Sequence, residues 1–196
     1  MLQKLEISRE KCIELVEKYV SAEGRKHLFA AEESMKALAK HFGEDEHTWA
    51  MCGLLHDIDY EQITGKEDMD AHMKEHCGEK TAEYLSEIDF PPELIRAVQS
   101  HNEIQEIPHD TKLAKALFAV DGLTGFITAV AKIYPDQKLS SVKIKSVIKR
   151  FKEARFAAAV NRDHILTCET ELDLPREKFV EIVLEAMRKI SDKLGL

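Results

Sequence analysis

Apolar residues recur at intervals of three and four along nearly the whole chain, and no stretch of useful length alternates apolar with polar. A period near 3.6 buries one stripe of a helix, whereas a period of two buries one face of a strand. The fold class expected is therefore all-α. Cys12, Leu15, Val16 and Tyr19 predict a first helix after Ser8, a residue type that caps helices. A second is expected over 24–42, stopped by Gly43, since glycine readily takes the left-handed position after a helix. A third is expected over 46–58 and a fourth over 68–86. Pro91-Pro92-Glu93 opens a fifth through His101, with proline in the first turn. A long apolar helix follows over 112–133, ended by Pro135. A basic segment over 140–160 and an amphipathic helix over 176–194 complete the chain.

At 196 residues, 44% hydrophobic and 33% charged, the chain suits one helical domain, or a domain plus a helical extension. No run approaches 18 apolar residues, so no membrane span is expected. The stretch from Met1 to Glu10 lacks the apolar core of a signal peptide. Cys12, Cys52, Cys77 and Cys168 show no C-x-x-C spacing. Reduced, mostly buried thiols in a cytoplasmic protein are expected, rather than disulfides or a cysteine-based zinc site. The net charge of -8 argues against general nucleic-acid binding. Between Gln137 and Arg155, however, Lys138, Lys143, Lys145, Lys149, Arg150, Lys152 and Arg155 face Glu153 alone. Such a run is either a solvated helix face or an anion-facing patch. Phe179, Ile182, Val183, Met187, Ile190 and Leu194 form a final apolar stripe, which can pack internally or support a homodimer.

The chemistry is concentrated around one dipeptide. The apolar stretch from Trp49 to Leu55 runs into His56-Asp57. A charged Asp at the end of an oily helix is costly without a partner. Imidazole and carboxylate are the ligand types that hold divalent transition metals. Neighbours within a helix point about 100° apart, so both can face one ion only near a helix end. Asp121 lies between Val120 and Gly122 in an apolar helix, and His27, His76 and His101 occur elsewhere along the chain. Taken singly, each has an ordinary reading. His27 fits an exposed first-turn residue, His76 a surface histidine, His101 a partner of a helix dipole, and Asp121 a salt-bridge acceptor.

Together, His27, the stretch Gly53-Leu54-Leu55-His56-Asp57-Ile58, and Asp121 within Phe118-Ala119-Val120-Asp121 resemble the His-Asp (HD) superfamily of metal-dependent phosphohydrolases. The resemblance runs over roughly Glu23–Leu123. It implies a single helical bundle with an HD core of about 23–125 and a C-terminal helical extension of about 138–196. It implies that His27, His56, Asp57 and Asp121 bind one divalent ion. Two-metal members add two histidines, matched here by His76, in the His-x-Gly context of His76-Cys77-Gly78, and by His101 at the end of the next helix. The basic stretch from Lys145 to Arg162 is similar to the C-terminal part of a bacterial and archaeal subgroup of predicted hydrolases. Where many two-metal members read His-Asp-Ile-Gly-Lys, this chain reads His-Asp-Ile-Asp59-Tyr60-Glu61.

The resemblance leads to specific expectations. The cofactor is one or two ions of Fe, Mn, Co, Ni or Zn, because imidazole matches hard Mg poorly. Asp57 bridges the ions, and a metal-activated water is the nucleophile. Asp59 or Glu61 orients the water or protonates the leaving group. Lys145, Lys149, Lys152 and Arg162 neutralise phosphate if the C-terminal helices fold back over the site. The substrate is a small phosphorylated molecule such as a nucleotide. Two alternatives share the ligand set: a di-iron oxygenase and a non-catalytic, metal-stabilised sensing or docking domain. His72-Met73-Lys74-Glu75-His76 also spells the inverted zinc-protease motif. That motif leaves His56, Asp57 and Asp121 unexplained, so His72 is expected at the surface, or at most behind a ligand.

Overall fold

The computed structural model describes residues 5–63 and 67–196. The first four residues of the N-terminal stretch, and 64–66 within the expected core, lie outside the described residues. Among the described residues there are eleven α-helices and no strand, the all-α class that the periodicity implies. Local chemistry sets several boundaries. Ser8 Oγ accepts the Lys11 N–H at 3.3 Å and opens α1 (Arg9–Tyr19). Next, α2 (Gly24–Phe42) stops at Gly43, whose φ is 71°. Asp45 accepts the Thr48 N–H at 2.8 Å and opens α3 (Glu46–Leu55).

Four expected elements are built differently. The third helix ends at Leu55 rather than Ile58, and the chain then descends through tight turns, with Tyr60 N–H on Asp57 O and Gln62 N–H on Asp59 O. The expected helix over 68–86 is two helices, α4 (Met69–Glu75) and α5 (Glu79–Ser86). At the break His76 is extended and Cys77 is left-handed, with φ 62°. The cause is tertiary. Buried Asp59 takes the Cys77 N–H at 2.9 Å and pairs with His76 Nδ1 at 3.0 Å, so these groups turn away from the helix axis. After α6 (Pro92–Gln99) and α7 (Lys112–Lys132), the basic segment is α-helical only in α8 (Ile144–Arg150). Residues 151–160 are mostly turns, wrapped around Arg162, whose guanidinium donates to the carbonyls of Glu153, Phe156, Ala157 and Val160. Arg162 then begins α9 (Arg162–Glu171), a helix the periodicity did not single out. The last expected helix divides at Ile190 into α10 (Arg176–Lys189) and α11 (Ser191–Leu194).

Helix α2 is central, packing on α3, α7 and α10, while α9 lies on α7. Leu28, Met35 and Leu38 of α2 and Met51, Leu54 and Leu55 of α3 are fully buried. Each such side chain stabilises the fold by ~1.5–3 kcal/mol. The α2–α3 approach depends on Gly53, where a Cβ would lie 2.7 Å from Ala31 O. Buried Glu32 of α2 accepts from both Nε and Nη2 along one edge of the Arg9 guanidinium, tying α1 to the centre. The stripe of Phe179, Val183 and Met187 is buried inside the chain, with α10 against α2 and α7. Helix α7 reaches the length and apolarity of a membrane span, yet 67% of its most apolar window is buried within the fold.

Candidate metal centre

Five segments deliver the polar groups. His27 lies in the first turn of α2, and His56 and Asp57 follow the end of α3. His76 sits at the break between α4 and α5, His101 two residues beyond α6, and Asp121 in α7. The close α2–α3 contact allowed by Gly53 sets His27 Nε2 3.1 Å from His56 Nε2. Asp121 Oδ1 lies 2.9 Å from His27 Nε2 and 3.4 Å from His56 Nε2. Asp57 stands between two groups of donors. Its Oδ2 is 3.4 Å from His27 Nε2, while its Oδ1 is 3.2 Å from His76 Nε2 and 3.1 Å from His101 Nε2.

The outer ring nitrogens show what the inner ones offer. His56 Nδ1 bonds Gly53 O at 2.9 Å and His101 Nδ1 bonds Val98 O at 2.7 Å. A carbonyl only accepts, so each Nδ1 carries the proton and each Nε2 turns a lone pair inward. Asp59 fixes His76 in the same sense. In the neutral rings, lone pairs therefore face carboxylate oxygens and one another, an arrangement that a bound cation would satisfy. Protonation tendencies carry the same message. Burial opposes a charged ring at His27, His76 and His101. The facing carboxylates, and for His101 also the Cys77 sulfur, outweigh burial and raise all three above the ordinary histidine value, His76 to about 10. Burial would likewise raise Asp57 and Asp121, but the surrounding imidazoles hold both well below the ordinary carboxylate range. Four N/O donors (His27, His56, Asp57 and Asp121) offer atoms all within 4.8 Å of one another, and the set could hold a divalent metal ion.

The other expected site residues are engaged or exposed, and of them Glu61 lines a groove together with His27 and Asp57. Asp59 is fully buried and bonded to His76 and Cys77, so it orients a ring and is screened from any substrate. Glu61 accepts from the backbone N–H and the hydroxyl of Ser21, both at 2.7 Å, and braces the α1–α2 connection. Lys145, Lys149 and Lys152 are exposed. Lys149 lines a separate cavity with Val130, Ile133 and Tyr134, roughly 13 Å along α7 from Asp121 at 1.5 Å per residue. Arg162 is committed to backbone carbonyls. None of these four lines the cavities that adjoin the donor cluster. His72 is buried rather than at the surface, its ring edge-on to Tyr60 at 4.6 Å.

Sequence reasoning missed two features. Cys77 Sγ lies 3.3 Å from His76 Nε2, and 3.5 and 3.7 Å from the two ring nitrogens of His101. Near-equal distances to both nitrogens put the sulfur beside the ring, not ahead of the Nε2 lone pair. The adjacency of His76 and Cys77 was the available signal. The second feature is a cavity of about 560 Å³ over the cluster. It is closed partly by Val160, Asn161 and His164, so the C-terminal region does fold over the site, but with uncharged side chains and one imidazole. Tyr60 lines this cavity and also a groove of about 400 Å³ on its other side.

The sequence model of the HD domain matches residues 24–125, more than half of the chain. Searches of curated proteins and of solved structures returned no match. The matched span contains His27, His56, Asp57, His76, His101 and Asp121, and with it the whole inward-facing cluster. On that match and that cluster, the chain belongs to the HD-domain family, whose members have metal-dependent hydrolase-type functions.

Proposed function

We propose that this protein is a metal-dependent phosphohydrolase acting on a small phosphorylated substrate. The observation that carries the reading is the convergence of four imidazoles and two carboxylates, all but His56 lining one cavity, with three rings held so that Nε2 turns inward. His27, His56, Asp57 and Asp121 would hold one ion, and His76, His101 and the other oxygen of Asp57 a second. The donor set favours Fe, Mn, Co, Ni or Zn over Mg. Such ions, when bound, lower the pKa of a water and neutralise charge on phosphoryl oxygens.

The chain's own part is positioning. Asp59, Gly53 O and Val98 O lock three rings. Thr124 Oγ1 stands 3.3 Å from His27 Nδ1 and steadies the fourth. Tyr60 walls the donors on one side. No lysine or arginine lines the cavity, so a phosphoryl group there would depend on bound cations for its countercharge.

Elemental analysis of the purified protein, followed by phosphate release from monoesters and diesters with Mn, Fe, Co or Ni, tests the reading. Phosphate release abolished by a chelator is the expected result. Bound metal without release would leave the sensing or docking role. Dioxygen consumption by an iron-loaded sample, again without release, would favour an oxygenase. Replacing His101 with Ala is expected to lower metal content from about two ions to about one, and an unchanged count would mean a single-ion centre.

A further inference from the structure

The cavity beside the donor cluster also has an apolar lining. Besides the donors it is lined by Met69, Met73, Ile104 and Val160. Met69 and Ile104 are 52% and 45% exposed, and among the described residues only Ile133 joins them as an exposed large hydrophobic residue. Two of three such side chains thus sit at the mouth of one cavity. Clustered exposed apolar side chains at a concave site mark ligand contact.

Several polar groups of the lining are already engaged. The Asn102 amide donates to the carbonyls of Met73 and His76, both at 2.7 Å. Asn161 Oδ1 caps α9 by accepting the Asp163 N–H at 3.0 Å. His164 Nε2 lies 3.1 Å from Glu103 Oε2, and its ring stacks on Phe118 at 4.2 Å. Glu103 also places negative charge at the rim.

We propose that the substrate carries a single phosphoryl group on an apolar organic group, with the phosphoryl end on the donor cluster and the apolar end against Met69, Met73, Ile104 and Val160. This rests on the metal-centre reading above and narrows it. Sugar phosphates are poorer candidates, because their hydroxyls would be desolvated against apolar carbon while the Asn102 amide and the His164 ring are already committed elsewhere. Polyphosphates are poor candidates because their extra charges meet no basic residue and approach Glu103.

The test uses n-alkylphosphonates from methyl to hexyl, which lack the scissile ester, titrated calorimetrically into the cobalt-loaded protein. Affinity is expected to rise about three- to fourfold per methylene until the cavity is filled. The M69D/I104D double variant alters exposed positions and should still fold; its increment per methylene is expected to fall by at least half. A flat series, an unchanged increment in the double variant, or tighter binding of adenosine monophosphate than of hexylphosphonate would overturn the proposal. Phosphate release from the matching alkyl esters separates the two readings. Graded phosphonate binding without ester hydrolysis would sink the hydrolase and leave this inference standing. Hydrolysis of nucleotides with a flat alkyl series would do the reverse.

Discussion

The matched span 24–125 and the region beyond Pro135 use their ionisable residues in opposite ways. In the first, the cluster's imidazoles and carboxylates face one another, are buried or half-buried, and compensate one another. In the second, Lys145, Lys149 and Lys152 are exposed, while Arg162 and Arg188 turn inward and donate to backbone carbonyls. The contrast teaches that charge density along a sequence is a poor guide to a site. Desolvation is a better one, because a buried charge survives only with a partner.

The comparison can be broken most sharply at Asp57, the residue shared by both donor groups. Asp57→Ala is expected to reduce metal affinity by more than the ~10–100-fold that loss of a ligand's supporting partner costs. Retained metal, read by elemental analysis, would remove Asp57 from the centre. Asp59→Ala should cost ~10–100-fold in metal affinity while the helical circular dichroism stays native. If metal affinity held and only the pH profile of turnover changed, Asp59 would be an acid–base group after all.

In the C-terminal region, Arg162→Met leaves several carbonyls without their donor and is expected to destabilise the fold by about 2–4 kcal/mol. Metal stoichiometry should not change, and its loss would show that the 151–160 turns support the donors. The smallest effect is expected for Lys149→Glu. Stability should move by no more than about 0.5 kcal/mol, with KM for a phosphomonoester unaltered. A raised KM would return the basic run to the substrate path.

Much of this could be read from residue order because it is local. The caps at Ser8 and Asp45 and the stop at Gly43 depend on atoms within a few positions. The break at His76-Cys77-Gly78 was illegible because its cause, Asp59, lies 17 residues upstream of His76 and acts only once buried. Helix α9 was missed for a related reason. Its cap at Asn161 and the turns before it are organised by Arg162, which in the sequence looks like one more member of a basic run.

Periodicity and residue type alone determined that the chain is helical and that it carries a histidine and aspartate set suited to a transition metal. Both are properties of short windows and of side-chain chemistry. The packed fold sets which ring nitrogen faces inward, places Asp57 between two donor groups, and engages Asp59 with His76 and Cys77 and Glu61 with Ser21. Those outcomes depend on distances between atoms far apart in the chain and on the cost of burying charge, and packing alone fixes both.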